Sequence, residues 1–177
     1  VVSTTIIADL VVTLQPTDVN ECIGGLDAIS VSVTGGSGSI TYQWQTSSNL
    51  AGPYTNIGGA TNSSFVPPSV TAGIYYYRAL INASNSGCDQ AVSDISTVTI
   101  TPDISISVYP QGGTICVGGN FDLSVTASGS PDIHYQWEQQ TGPDTWIVVG
   151  TDLPSYSTGP LSQTTVYRVW VNADESG

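Results

Sequence analysis

Tyr77-Arg-Ala-Leu-Ile-Asn-Ala-Ser-Asn-Ser-Gly87 returns 90 residues later (167 − 77) as Tyr167-Arg-Val-Trp-Val-Asn-Ala-Asp-Glu-Ser-Gly177. Tyr77, Ala79 and Ile81 alternate with Arg78, Leu80 and Asn82, a period of two that belongs to a strand and not to a helix. Outward from this pair, Tyr42-Gln-Trp44 matches Tyr135-Gln-Trp137, and Cys22-Ile-Gly-Gly25 matches Cys116-Val-Gly-Gly119. Asp9-Leu-Val-Val-Thr-Leu-Gln-Pro16 matches Asp103-Ile-Ser-Ile-Ser-Val-Tyr-Pro110. Four matches in the same order mark an internal repeat, and the small drift in their offsets is what loop insertions leave behind. A chain of 177 residues suits two sandwiches of about 90 residues each. Residues 9–101 read as one complete repeat and 102–177 as a second that lacks its last strand. Residues 1–8 resemble Ile95 to Pro102 and read as the closing strand of a preceding repeat.

Alternation continues through the first repeat, which predicts an all-β fold of seven short strands. They are Leu10 to Leu14, Ile29 to Val33, Ile40 to Gln45, Tyr54 to Ile57, Ser64 to Val66, Gly73 to Ala83 and Val92 to Thr101. Clusters of Gly, Pro, Asn and Ser separate them, as turn chemistry requires. The predicted core holds Trp44 with Val31, Tyr75 and Tyr77 in the first repeat, and Trp137 with Val125 and Tyr167 in the second.

Charge narrows the function classes. The only basic residues are Arg78 and Arg168, and the formal net charge is −12. A nucleic-acid ligand needs a basic stripe, so that class is excluded. Anionic membrane surfaces are disfavoured for the same reason. No apolar run approaches the roughly 20 residues that span a bilayer, so membrane insertion is not expected. The chain opens without an initiating Met or a signal peptide, which reads as an interior stretch of a longer precursor or a piece processed out of one.

Two resemblances follow from these residues. Gly119-Asn-Phe-Asp-Leu-Ser-Val-Thr-Ala-Ser-Gly-Ser-Pro131 followed by Trp137 resembles the B-to-C segment of immunoglobulin domains. Gly73-Ile-Tyr-Tyr-Tyr77 resembles their strand-F Gly-x-Tyr-x-Cys, with Tyr75 at the tyrosine corner. The chain departs from that family at its two inter-sheet cysteine positions, held by Val31 and Tyr77 in one repeat and Val125 and Tyr167 in the other. The fold implied is a tandem of immunoglobulin-like antiparallel β-sandwiches. A fibronectin-like or polycystic-kidney-like sandwich obeys the same physics and stays open at this point. The Cys-x-Gly-Gly opening, Tyr-Gln-Trp and Asn82-x-x-x-Ser-Gly-Cys88 ending together resemble the repeats of giant surface adhesins of gliding bacteria. That resemblance implies an extracellular, cell-surface location and service in a long filament.

Cys22, Cys88 and Cys116 are the three cysteines. Pairing Cys22 with Cys88 fits the count alone. The expected topology argues against it, because the A–B turn and the F–G loop lie at opposite ends of a sandwich. An eight-residue strand spans roughly 25 Å, and a disulfide tolerates about 7 Å between Cα atoms. Bridges between repeats are the expectation: Cys22 with a cysteine just after Gly177, Cys88 with an upstream repeat and Cys116 with a downstream one. They would stiffen joints that otherwise hinge.

Catalysis needs convergent groups, and the single His134 has no nucleophile motif around it. No catalytic residue and no enzyme is expected. No metal site is expected either. Calcium is the one ion to weigh, since Asp9, Asp18, Asp89, Asp94 and Asp103 lie near loops or joints. They form no Asp-x-Asp-x-Asp run, and solubility explains them better.

The place for a ligand is the outward face of the sheet carrying His134, Gln136, Glu138, Arg168 and Trp170. An exposed Trp among amides suits a polysaccharide; the competing reading is a cross-strand ladder with Arg168 over Trp170 or paired with Glu138. The function expected is a structural or adhesive stalk whose partners are neighbouring repeats. The alternative is a carbohydrate-binding accessory module. The missing last strand of the second repeat also leaves an open edge, which residues 1–8 of a neighbouring chain would suit as a donor.

Overall fold

The computed structural model describes residues 2–4, 6–84 and 90–173. It divides into two compact units at Thr101 and Pro102. The first unit holds ten strands: β1 (Val11–Leu14), β2 (Val19–Cys22), β3 (Ile29–Ser30), β4 (Ser32–Thr34), β5 (Ile40–Ser47), β6 (Thr55–Asn56), β7 (Ser64–Phe65), β8 (Gly73–Ala83), β9 (Ala91–Val92) and β10 (Ser96–Thr101). The second holds seven: β11 (Ser105–Val108), β12 (Asp122–Ser124), β13 (Thr126–Ser128), β14 (Ile133–Gly142), β15 (Thr145–Val149), β16 (Ser155–Ser157) and β17 (Tyr167–Ala173). Among the described residues there is no helix.

In the first unit the larger sheet runs β2-β10-β8-β5-β6, with β9 also on β8. Facing it are the short ladders β1-β4 and β3-β7. The predicted second strand is split at Val31 because its halves serve different neighbours. β3 pairs with β7 and β4 with β1, and the Val31 amide donates to Ser63 O. Alternation survives the break: Ile29 and Val31 are both buried. Strand Val92 to Thr101 is split likewise, since the Ser93 hydroxyl receives the Ala79 amide at 2.8 Å and ends the β9 ladder.

Trp44 is fully buried and stacks on Phe65 with ring centroids 6.0 Å apart, and Phe65 leans on Tyr77 at 5.8 Å. The Trp44 indole N–H donates to Asn62 O at 2.9 Å, so its one polar atom is satisfied inside the core. Val31, Ala79, Ile81, Val98 and Ile100 close the cluster. The second unit repeats the scheme with different rings. Trp137 is fully buried, Tyr156 stands where Phe65 does, and Tyr167 where Tyr77 does. The Trp137 indole N–H donates to Leu153 O at 3.0 Å. Trp44 and Trp137 belong to separate clusters. Tyr75 donates its hydroxyl to Thr71 O at 3.2 Å, tying the start of β8 to the preceding loop.

One expectation needs correction. Cys22, expected in a turn, is the last residue of β2, which runs parallel to β10 with Cys22 opposite Thr101. The alternation over Val19, Asn20, Glu21 and Cys22 is only four residues long and places a glutamate on the inside, so it carries no readable apolar period. Residues 2–4 and 6–8, expected to close a preceding repeat, lie in no ladder of these two units. A lone strand cannot satisfy its backbone without a ladder partner. Glycine is required where Gly35 and Gly129 turn back at equivalent places. Both have positive φ, and a Cβ would meet the carbonyl of Asp9 or Asp103.

Each unit owns its core, so the two should fail separately. Trp44→Ala should cost about 3–5 kcal/mol and melt the first unit. The near-ultraviolet and exchange signature of the second unit should persist, as followed by thermal melts with amide exchange.

Candidate functional site

Register builds the outer face of the second unit. The β14–β17 ladder sets Glu138 opposite Arg168, Gln136 opposite Trp170 and His134 opposite Asn172. Their neighbours Tyr135, Trp137, Val169 and Val171 point to the other face and into the core. β15 adds Trp146 beside Gln140.

Glu138 is the hub. Arg168 Nε donates to its Oε2 at 2.6 Å, Trp170 Nε1 to the same oxygen at 3.0 Å, and Gln136 Nε2 to Oε1 at 2.9 Å. The Arg168 guanidinium lies 4.1 Å from the Trp146 ring centre and 5.0 Å from that of Trp170, a cation between two indoles. The bond from Arg168, then those from Trp170 and Gln136, hold the Glu138 carboxyl below its ordinary value, against a smaller opposing effect of desolvation. A carboxylate held ionised by three donors is a poor proton donor near neutral pH.

His134 lies on the same outward face, with its Nδ1 2.5 Å from Asp152 Oδ2, and the Tyr135 amide donates to Asp152 Oδ1. The His134 bond first, and the Tyr135 amide second, lower the Asp152 carboxyl from its ordinary value. Sequence reasoning missed Asp152 because it sits 18 residues away in a loop with no motif. His134, Gln136, Val148, Thr151, Asp152 and Asn172 line a recess of about 290 Å³.

The first unit carries a paler version of the same ladder. Arg78 lies 4.2 Å over Tyr54 and donates to Gln45 Oε1 at 2.8 Å, while Gln45 reaches Asn56. Gln45 stands where Glu138 does, Tyr54 where Trp146 does, and Leu80 where Trp170 does. Three of the five face residues, Glu138, Arg168 and Trp170, therefore meet directly, with Gln136 bonded to them. His134 belongs to a separate pair.

Cys22 and Cys116 are exposed and unpaired, and Cys88 lies outside the described residues. Among the described residues no group of three or more His, Cys, Asp or Glu side chains is placed to hold a metal ion.

Because Glu138's pKa is depressed in the fold, the stability it contributes is present above the ordinary carboxylate range. That stability is lost as pH falls through the lowered value. The second unit should therefore melt earlier as the solution is acidified below about pH 4.5. Glu138→Gln should flatten that dependence toward the profile of the first unit, which already has Gln45. Circular-dichroism melts across a pH series read both.

Among curated proteins none matches the sequence. Among solved structures the chain is similar to Rst D1-D2, with a TM-score of 0.58 and 15% identity, covering 94% of this chain and 93% of that one. It is similar to the N-terminal four Ig domains of Dscam1 isoform 6.9, with a TM-score of 0.54 and 11% identity, covering 98% of this chain and 45% of that one. It is also similar to Sidekick-1 immunoglobulin domains 1-5, with a TM-score of 0.50 and 12% identity over 95% of this chain. It spans 39% of that structure's length. At such identities the likeness establishes the fold: two all-β, immunoglobulin-like sandwiches. A family model matches residues 17–102 and again 107–177, and the chain belongs to that family, described as Domain of unknown function (DUF8696).

Proposed function

We propose that this chain is a pair of structural, non-enzymatic repeats from the stalk of a long extracellular surface protein of the bacterial adhesin type. The observation that supports this reading is the recurrence of one packing scheme in both units. A Trp bonded to a loop carbonyl, an Arg over an aromatic ring, and a glycine against an Asp carbonyl each occur twice. Side chains that recur in the same mechanical role serve the fold of each repeat. Among the described residues no helix is long and apolar enough to cross a membrane. The weakly charged, Ser- and Thr-rich composition suits a secreted surface.

Bridges between repeats belong to this proposal. Cys22 ends β2 beside Thr101, the last residue before the second unit, with its Sγ 3.4 Å from the Thr101 hydroxyl. An exposed thiol at that end is available to a neighbouring repeat. Several repeats pulled in series by single-molecule force spectroscopy should unfold one unit at a time. Without reductant, each bridge from Cys22 should hide a loop of at least 155 residues (177 − 22), released on reduction. A hidden loop of only 66 residues (88 − 22) would mean a bridge within one repeat and would overturn this pairing.

One observation favours a second reading, a carbohydrate-binding accessory module. Trp170 is 53% exposed although its indole N–H is bonded to Glu138, so a fixed ring faces outward where the first unit has Leu80. A rigid half-exposed indole suits stacking on a sugar. On a glycan array the stalk reading gives no retained sugar. The accessory reading gives retention that Trp170→Ala reduces at least tenfold, roughly the worth of one stacked ring.

A further inference from the structure

We propose that the loop 23–27 of the first unit, together with the Glu21 carboxylate it covers, binds a calcium ion. Glu21 is 7% exposed and stands opposite Ile100 in the β2–β10 ladder. Its Oε2 accepts the Asp27 amide at 3.1 Å, while its Oε1 is buried with no hydrogen-bond partner. Burying a carboxylate is costly unless it is paired or coordinates a metal. The first unit offers it no cation. Arg78 is the only Lys, Arg or His side chain in residues 1–101, and it lies over Tyr54 with its Nε bonded to Gln45.

Oxygen atoms gather at that carboxylate. The loop folds back on it so closely that a Cβ on Gly25 would strike Glu21 Oε2. The buried Ser69 hydroxyl donates to Gly25 O at 2.5 Å and keeps its lone pairs for a cation. Asp27, exposed, brings a second carboxylate to the same loop. Carboxylates, a hydroxyl and backbone carbonyls, completed by water, are the ligands of calcium, which takes roughly six to eight oxygens in flexible geometry. The second unit shows that the loop folds without these polar groups. There Gly119 N donates to Cys116 O at 3.0 Å and Gly118 N to Leu161 O at 2.7 Å. In the first unit Gly25 N donates to Cys22 O at 3.0 Å and Gly24 N to Ser69 O at 2.9 Å. On this shared frame Ile115, Phe121 and Leu161 stand where the first unit has Glu21, Asp27 and Ser69. Three polar side chains are exchanged together for three apolar ones. One frame therefore carries an apolar cluster in the second unit and, in the first, an oxygen cluster with an unsatisfied member.

The test is amide exchange of the 177-residue chain titrated with calcium chloride, in reductant so that the exposed thiols stay out of play. Magnesium chloride at matched ionic strength is the control. With a Kd of about 1 mM, the weak end for extracellular modules, about 10 mM calcium should slow exchange in residues 21–27 roughly tenfold. Residues 115–121 of the second unit, which carry the apolar version of the loop, should not respond. Glu21→Gln should abolish the slowing. Asp27→Asn changes an exposed residue, so the unit should stay folded while binding weakens roughly tenfold; it decides the matter where Glu21→Gln fails to fold. Three outcomes would overturn the proposal: no slowing by calcium, slowing undiminished in Asp27→Asn or in a folded Glu21→Gln, or equal slowing of both loops or by magnesium. The last is the mark of diffuse counterions around a chain of net charge −12.

Discussion

Everything in this molecule hangs on an indole placed where two small sheets face one another. Trp44 and Trp137 have no exposed surface, and each carries a single N–H that must find an acceptor once water is excluded. Asn62 O and Leu153 O supply it from the loops that follow β6 and β15. The apolar bulk holds the sheets together while the polar atom fixes the loop across the top. With Val and Tyr at the places where many such sandwiches have cysteines, aromatic packing of Phe65 and Tyr77, or of Tyr156 and Tyr167, carries the load. This explains how a unit of about 90 residues keeps its fold without an internal covalent staple among its described residues.

The outer face obeys the same economy with charge. The two arginines are the chain's only strong cations, and each lies over an aromatic ring with its Nε bonded to the residue opposite it in the sheet. In the second unit the acceptor is a carboxylate and a second indole joins, so the ladder becomes a closed network around Glu138. In the first unit the acceptor is an amide and the network thins. The difference gives the second unit a carboxylate held ionised at the centre of its ladder and, in Trp170, a half-exposed indole fixed by its N–H.

The units differ again at their edges. β10 and β2 complete the first sheet, and their inward residues bring Tyr77, Ala79 and Ile81 into the dry core. The equivalent backbone at residues 113–116 and 163–166 forms no strand, and its residues differ: Gly113-Thr-Ile-Cys116 stands for Val19-Asn-Glu-Cys22 and Gln163-Thr-Thr-Val166 for Gly73-Ile-Tyr-Tyr76. Residues 2–4 and 6–8 lie in no ladder, whereas β10 lies between β2 and β8.

Alternation and repetition were legible from residues alone, because side chains in a strand must face in and out by turns and because the two copies vote for the same pattern. They pointed to the all-β class, the repeat, the buried Trp44, Trp137, Val31, Val125 and Tyr77, and a set of side chains on one outer face, while Tyr75 and Tyr167 are only partly buried. Tertiary structure decided what lies beyond local period. β2 hides in four residues with a buried glutamate, and only its parallel partner β10 makes it a strand. Asp152 reaches His134 through a loop that no spacing rule ties to β14. Whether Arg168 would cover Trp170, pair with Glu138 or do both depended on distances of a few ångströms across three strands. A linear chain does not encode such distances position by position; it encodes them through the packing of all its strands at once.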